Sequence, residues 1–228
     1  MDLRADSGVI IPAYNAAPFI AETLVSLLRH VAKDRIAVID DGSIDGTAAC
    51  VESLGVACLR HERNQGKGSA LMTGFAWARE KGRQWAVTMD CDGQHSAADL
   101  AAFWNAPLRP DTGAVIGRRR RSGSPMPPHR RWSNALTTWM ISRLAHRNVH
   151  DAQSGFRMYR LDAVEKARLP RHGRFEWESQ ALVLLGRGGY SLAAADISTL
   201  YTGNGSHMRL FADSLRFLRM YWRLVWTH

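Results

Sequence analysis

Ile36-Ala-Val-Ile-Asp-Asp-Gly-Ser43 and Trp85-Ala-Val-Thr-Met-Asp-Cys-Asp-Gly-Gln-His95 hold the two acidic clusters that carry most of the information in this chain. In each, an apolar run stops abruptly at carboxylates and a glycine. A buried parallel strand ends in this way at the C-terminal edge of a sheet, and open α/β sheets bind ligands at that edge. Asp90 and Asp92 stand one residue apart and Gln94 adds another oxygen, a donor set suited to a hard divalent cation shared with a diphosphate. An isolated Asp-x-Asp is more simply a solvated turn. Here both clusters close strands and both lead through glycine into a helix, which favours metal-assisted chemistry on a phosphorylated ligand.

Working outward, Val9–Ile11 reads as a first strand, stopped by Pro12 and a Tyr14-Asn15 turn. A helix from about Pro18 to Val31 follows, with Leu24, Leu27, Leu28 and Val31 on one face. Asp45 opens the next helix as an N-cap, Val56–Leu59 forms a third strand, and Gly66-Lys67-Gly68 leads into a helix reaching about Lys81. After the strand Trp85–Met89, Ser96 caps another helix and Ala114–Gly117 makes a fifth strand. This β-α alternation predicts an α/β protein with a mainly parallel central sheet flanked by helices. Ser122–His129, rich in Ser, Gly and Pro, reads as a loop. Beyond it the pattern predicts a helix over Trp132–His146, a strand near Phe156–Tyr159, a helix near Glu176–Gly186, a strand near Leu192–Tyr201 and a terminal helix.

The chain has 228 residues, enough for one such domain with a small appendage. Cys50, Cys58 and Cys91 show neither CxxC nor zinc-ligand spacing, so a reducing compartment is expected. No run of about 18 apolar residues occurs, so no bilayer span is expected; Met1–Gly8 is acidic and is not read as a signal peptide. The net charge of +9 asks for an anionic partner. Gly66-Lys67-Gly68-Ser69 lacks the spacing of a P-loop, and no Gly-x-Gly-x-x-Gly follows strand one, which argues against a dinucleotide dehydrogenase.

Taken in order, several segments resemble family 2 inverting glycosyltransferases of the GT-A fold, nucleotide-diphospho-sugar transferases. The branch that includes dolichyl- and polyprenyl-phosphate sugar transferases is the most similar. The segments are Val9-Ile-Ile-Pro-Ala-Tyr-Asn15, Ile39-Asp-Asp-Gly-Ser43 with Asp45-Gly-Thr47, and Asn64-Gln-Gly-Lys-Gly68. They continue with Asp90-Cys-Asp-Gly-Gln-His95, Gly117-Arg118, Asp151-Ala-Gln-Ser-Gly-Phe-Arg157, Phe175-Glu-Trp-Glu178 and Ser206-His207. Each is weak alone; the ordered set is specific and spans nearly the whole domain.

The resemblance implies roles. Pro12, Tyr14, Asn15, Asp40, Asp41 and Cys91 would belong to the nucleotide-sugar pocket, with Asp41 accepting hydrogen bonds from the base. Asp90, Asp92 and Gln94 would hold Mg²⁺ or Mn²⁺ against the donor diphosphate, and Lys67 would sit near that diphosphate or the sugar. Arg118, Arg130, Arg131, Ser133 and Arg157 would meet the acceptor or its phosphate, with Asn134 behind them. Relatives often carry an arginine near the C-terminal Ser-basic motif where this chain has Tyr201; His207 and Arg209 are the residues left to supply that contact. A lipid-phosphate acceptor arrives ionised and needs no strong base, whereas a hydroxyl needs a carboxylate to take its proton. Asp151, Glu176 and Glu178 are the candidates for that task.

Arg118–Arg121, with Arg130 and Arg131, form a basic stretch without an acid inside it. Its place after a strand and before a loop points to phosphate or headgroup contact rather than a merely solvated run. Arg209, Arg216, Arg219 and Arg223 line one side of the terminal helix, and Phe211, Leu215, Leu218, Trp222 and Trp226 supply apolar surface. Such a helix suits a bilayer interface; the alternative is a core-packing helix whose arginines snorkel outward. The expected organisation is a catalytic domain over residues 1–205 and an appended basic, aromatic helix over 206–228. The expected function is transfer of a hexose from a UDP- or GDP-sugar to a lipid-linked, polyprenyl-phosphate-like acceptor, at the cytoplasmic face of the membrane as a peripheral protein. Transfer to a hydroxyl of another lipid or a small acceptor is the alternative. A sugar-1-phosphate nucleotidyltransferase is disfavoured by Pro12-Ala-Tyr-Asn15 after strand one, and a nucleic-acid-binding module by the lack of any accompanying motif. A homo-oligomer or a separate membrane partner is left open.

Overall fold

This computed structural model describes residues 2–119, 128–198 and 210–226, with side chains at all of these except 128–130 and 210–213. The elements are β1 (Ser7–Ala13), α1 (Ala17–Leu28), β2 (Ile36–Asp40), α2 (Thr47–Ser53), β3 (Ala57–Arg60), α3 (Lys67–Glu80), β4 (Trp85–Thr88) and α4 (Leu100–Trp104). They continue with β5 (Thr112–Arg119), α5 (Pro128–Ala145), β6 (Arg157–Arg160), α6 (Leu161–Lys166), α7 (Glu176–Arg187), β7 (Ser191–Ile197) and α8 (Leu210–Trp226). The seven strands form one sheet in the order β3-β2-β1-β4-β6-β5-β7.

The expected mainly parallel sheet flanked by helices is present: β1 pairs in parallel with β2 and β4, β2 with β3, and β5 with β7. The exception is β6, antiparallel to both β4 and β5. In the register Thr88↔Arg157 the start of β6 lies beside the end of β4. The segment 151–156 before β6 is thereby delivered to the edge where Asp90 and Asp92 leave β4.

Both faces of the sheet are covered, as a buried parallel sheet requires. Along β1 the side chains alternate: Val9, Ile11 and Ala13 enter the core shared with α1, and Ile10 the core shared with α3 and α7. Helix α3 lies close on β1 because Gly74 faces Ile10; a Cβ at Gly74 would overlap Ile10 Cγ2. Boundaries shift from the sequence reading by a few residues. The reading placed the helix after the Ser122–His129 loop at Trp132, but α5 begins at Pro128, where proline's fixed φ and missing N–H suit a first helical turn. Positions 120–127 lie outside the described residues.

Gly74→Ala is expected to destabilise. Ile10 is fully buried in a central strand and its branched side chain cannot turn away. Overpacking of about 1–3 kcal/mol then exceeds the helix-propensity gain of at most about 1 kcal/mol. A lowered urea midpoint would show it, with Gly46→Ala, which has no neighbour within 4 Å, as the unaffected control.

Candidate active site

The C-terminal edge of the sheet gathers four segments: the ends of β1, β2 and β4, and the first turn of α3. Lys67 opens α3 after Gly66, which adopts φ +97° in the left-handed region that glycine alone enters freely. Its Nζ lies 2.7 Å from Asp90 Oδ1 and 2.7 Å from Glu178 Oε2. Burial would push the Lys67 ammonium toward neutrality, but the two carboxylates outweigh it and its pKa is raised. Burial likewise works against the charge on Asp90, and Lys67 outweighs it, so Asp90 is held below the usual carboxylate range. Lys67 and Asp90 are therefore both ionised near neutral pH. Gly155 closes the site from the β6 side: a Cβ there would strike Asp90 Oδ2 and come 3.0 Å from Lys67 Nζ.

Past Asp90, the chain folds back on itself. The Gln94 amide donates to Asp92 Oδ1 at 3.0 Å, and Ser96 Oγ accepts from the Ala98 amide at 3.3 Å. Cys91 Sγ points to the Pro12 carbonyl, 3.7 Å away. Burial, helped by Asp90 and Asp92, pushes the Cys91 thiol up to about 12, so it stays protonated. The His95 ring packs on Phe156 with centroids 5.1 Å apart. Burial lowers its pKa against the pull of Asp90 and Asp92, and its Nδ1 is buried without a hydrogen-bond partner among the described residues.

The β2 end is organised differently from expectation. Asp40 is fully buried; its Oδ1 accepts from the Ser43 amide at 2.9 Å and its Oδ2 lies 3.4 Å from Arg60 Nε. Asp41 accepts from the Gln65 and Gly66 amides at 2.9 and 2.8 Å and pairs with His61 Nδ1 at 2.7 Å. Its carboxylate thus shapes the loop that presents Lys67. Asn15 spans two loops, its amide donating to Ser43 Oγ at 2.8 Å and its Oδ1 accepting from the Ile44 amide at 3.0 Å. Tyr14 leaves its ring exposed at the same edge, beside half-buried Pro12.

On the other side of β4, Asp151 is gripped by Arg119 through two bonds of 2.7 and 2.9 Å, with Asn134 Nδ2 and the Gln153 amide each at 3.2 Å. Burial would raise its pKa, but Arg119 and these donors more than offset that and hold it low. Such a carboxylate is a poor proton acceptor, which counts against the expectation of a base at Asp151. Glu176 accepts from the Arg174 amide at 3.1 Å, and its second oxygen is buried without a hydrogen-bond partner among the described residues.

Arg157 needs correction. Its guanidinium is fully buried and donates to the Ala152, Ser154 and Glu178 carbonyls and the Tyr159 hydroxyl at 2.6–3.1 Å. Four of its donors hold backbone and core, so Arg157 fixes the 151–156 segment rather than receiving a phosphate. Arg118 is exposed and bonded to Asp196 Oδ1 at 2.6 Å. Arg131 and Ser133 stand exposed near the start of α5. The Arg130 side chain, His207 and Arg209 lie outside the described residues. Gly155 and His61 carry no role in the sequence analysis, and Arg119, expected there within Arg118–Arg121 to meet a phosphate or headgroup, pairs with Asp151. For Arg119 a signal existed: strand alternation sends Arg118 and Arg119 to opposite faces, so one of them had to point inward.

Among the described residues, no three His, Cys, Asp or Glu side chains gather closely enough to hold an ion by themselves. Asp90 and Asp92 offer two carboxylates, with the orphaned His95 nitrogen nearby. That chemistry fits a magnesium-like ion, which takes one or two protein carboxylates and completes its shell with substrate phosphates. A cavity of about 440 Å³ beside Arg4, His30 and Trp104 lies among residues that precede the strands, away from the carboxylate edge.

A sheet of this order, with an antiparallel strand beside an acidic C-terminal edge, defines a glycosyltransferase of the GT-A fold. The chain belongs to Glycosyl transferase family 2, whose model matches residues 8–168. It is 30% identical over 215 residues to UDP-N-acetylglucosamine--dolichyl-phosphate N-acetylglucosaminyltransferase of Methanococcus voltae, covering 85% of each chain. It is 34% identical to polyprenol monophosphomannose synthase of Mycolicibacterium smegmatis, over 69% of this chain and 63% of that protein. Among solved structures, glucosyl-3-phosphoglycerate synthase from Mycobacterium tuberculosis with Mn²⁺, UDP and glucosyl-3-phosphoglycerate superposes with a TM-score of 0.70. That match is 16% identical and covers 97% of this chain and 82% of that one, a likeness of fold.

Lys67→Met leaves Asp90 and Glu178 facing one another without a cation. A loss of about 3–5 kcal/mol is expected at pH 7. In the native chain the lowered Asp90 pKa contributes stability above the unfolded carboxylate value, lost as pH falls. In the variant the carboxylate pKa values rise, so the penalty shrinks as pH falls through the carboxylate range. Urea midpoints of both proteins at pH 7 and pH 4.5 measure this; a gap independent of pH would contradict the charge assignment.

Proposed function

We propose that this enzyme transfers a hexose from a UDP- or GDP-sugar to a polyprenyl-phosphate-like lipid acceptor, with inversion, at the cytoplasmic face of a membrane. The observation that carries the reading is Asp90, held by Lys67, with Asp92 beside it just past β4, in a chain whose relatives bear dolichyl- and polyprenol-phosphate names. In this reading Asp90, Asp92 and Gln94 hold the divalent ion. A bound Mg²⁺ or Mn²⁺ supplies Lewis-acid neutralisation of the nucleoside diphosphate leaving group.

The chain's own residues orient and neutralise. Lys67 keeps Asp90 ionised and fixed before any donor arrives. Pro12, Tyr14, Asn15, Asp40 and Asp41 build the wall on which the nucleotide rests, with Asp41 acting largely through the 61–66 loop. Arg118, Arg131 and Ser133 would receive the acceptor phosphate, a role the sequence also gives to Arg130, His207 and Arg209, and Arg forks give such a contact direction. Inversion needs one in-line displacement, and an ionised phosphate oxygen attacks without a strong base. Helix α8 (Leu210–Trp226), within the expected appendage 206–228, serves against the membrane. Among the described residues no helix is long and apolar enough to cross a bilayer.

The test is transfer of label from a panel of UDP- and GDP-sugars into organic-extractable product, with membrane lipid extract as acceptor. Asp92→Asn is expected to lower transfer by about 10³-fold or more, and chelation to abolish it reversibly. Donor hydrolysis without lipid label would reject the acceptor assignment.

Glu176→Gln separates the two acceptor chemistries. With a lipid phosphate, turnover is expected to stay within about tenfold of the native enzyme. A loss of about 10²–10⁴-fold would mean that a base is needed and that the acceptor is a hydroxyl.

A further inference from the structure

Helices α5 and α8 are each apolar on two opposite faces. Ile141, Leu144 and Ala145 of α5 and Met220 and Leu224 of α8 are buried. Both helices pack against α7. Arg187 of α7 donates to the Leu144 carbonyl at 3.1 Å and the Leu224 carbonyl at 2.7 Å, tying the ends of the two helices to one point.

The opposite faces look away from the body. On α5, Trp132, Leu136 and Trp139 are 59–78% exposed and fall within about 60° of the helix circumference. No residue from 131 to 140 is buried. On α8, Leu215, Leu218, Trp222 and Trp226 are 41–81% exposed, within about 80°. Core packing with snorkelling arginines accounts for the Met220–Leu224 face and leaves this outward one unexplained. A contiguous exposed stripe of large apolar side chains marks an interaction surface.

We propose that the outward faces of α5 and α8 together dock on an anionic bilayer, so that α5 is a second membrane contact beside the C-terminal helix. Charge selects the occupant. The two helices, 18 and 17 residues long, carry six arginines (130, 131, 143, 216, 219 and 223) and one acid, Asp213. A second copy of this chain would set arginine rows against each other, whereas anionic headgroups complement them. Tryptophan is the side chain favoured at the headgroup level, and arginine stems lie along apolar surface while their charges reach the headgroups. Because α5 follows the basic stretch at Arg118, the docked surface brings the cationic approach down to the depth of lipid phosphates. The proposal deepens the lipid-acceptor reading and takes its purpose from it, but its evidence is separate.

Co-sedimentation of the full chain with phosphatidylcholine vesicles, with and without about one-third phosphatidylglycerol, tests it. The native protein should favour the anionic vesicles, and brominated lipid should quench its tryptophan fluorescence. Trp132→Ser with Trp139→Ser should lower partitioning about tenfold or more, as should Trp222→Ser with Trp226→Ser. Both pairs are exposed and should leave the urea midpoint and lipid-free donor hydrolysis unchanged. Unaltered partitioning of the α5 pair, or equal binding to neutral vesicles, would overturn the proposal. So would light scattering showing a native dimer that these substitutions dissociate. Vesicle binding lost in the variants while the native enzyme labels no lipid phosphate would sink the acceptor reading and leave this surface standing.

Discussion

Everything at the catalytic edge depends on one buried cation between two carboxylates. Lys67 comes from the first turn of α3, Asp90 from the end of β4 and Glu178 from the first turn of α7, segments far apart in sequence. Three charges in so dry a place are tolerable only if each has its partner, because an unpaired one costs several kcal/mol. The pairing therefore does more than stabilise. It fixes where two helices begin relative to a strand end, and it keeps Asp90 ionised whether or not a ligand is present. The site proposed for a donor diphosphate is in this way built around a positive charge.

The antiparallel β6 is the second constraint. A purely parallel sheet would send the segment before β6 to the opposite edge. Reversing one strand returns 151–156 to the acidic edge, where Gly155 lies against Asp90 and Lys67 and Asp151 pairs with Arg119. Arg157 anchors this return through carbonyls of its own loop and of α7. The arginine that looked like a phosphate ligand is thus what holds the wall in place.

Much of the architecture was legible because it is written in local pattern. Apolar runs ending in Asp-Asp and Asp-x-Asp marked β2 and β4, and Gly66 before Lys67 marked the start of α3. The direction of β6 was not legible, since four residues of strand carry no sign of which neighbours they pair with. Nor was the fate of individual charges. Whether an arginine meets solvent, a phosphate or a carbonyl is set by contacts with residues dozens of positions away, as Arg118, Arg119 and Arg157 show in three different ways. Nor does the sequence show that Asp41, expected to accept hydrogen bonds from the base, has backbone amides of the 61–66 loop converging on it.

Gly155 gives the site an unusual kind of vulnerability. It bears no functional group, and its own φ is not in the left-handed region. Yet the space a methyl group would fill is already held by the Asp90 carboxylate and the Lys67 ammonium. A residue with nothing to contribute chemically therefore guards the position of two groups on which the proposed site rests. Genetic variation there would present as an inactive enzyme with every polar residue intact, and a census of catalytic side chains would not find the cause.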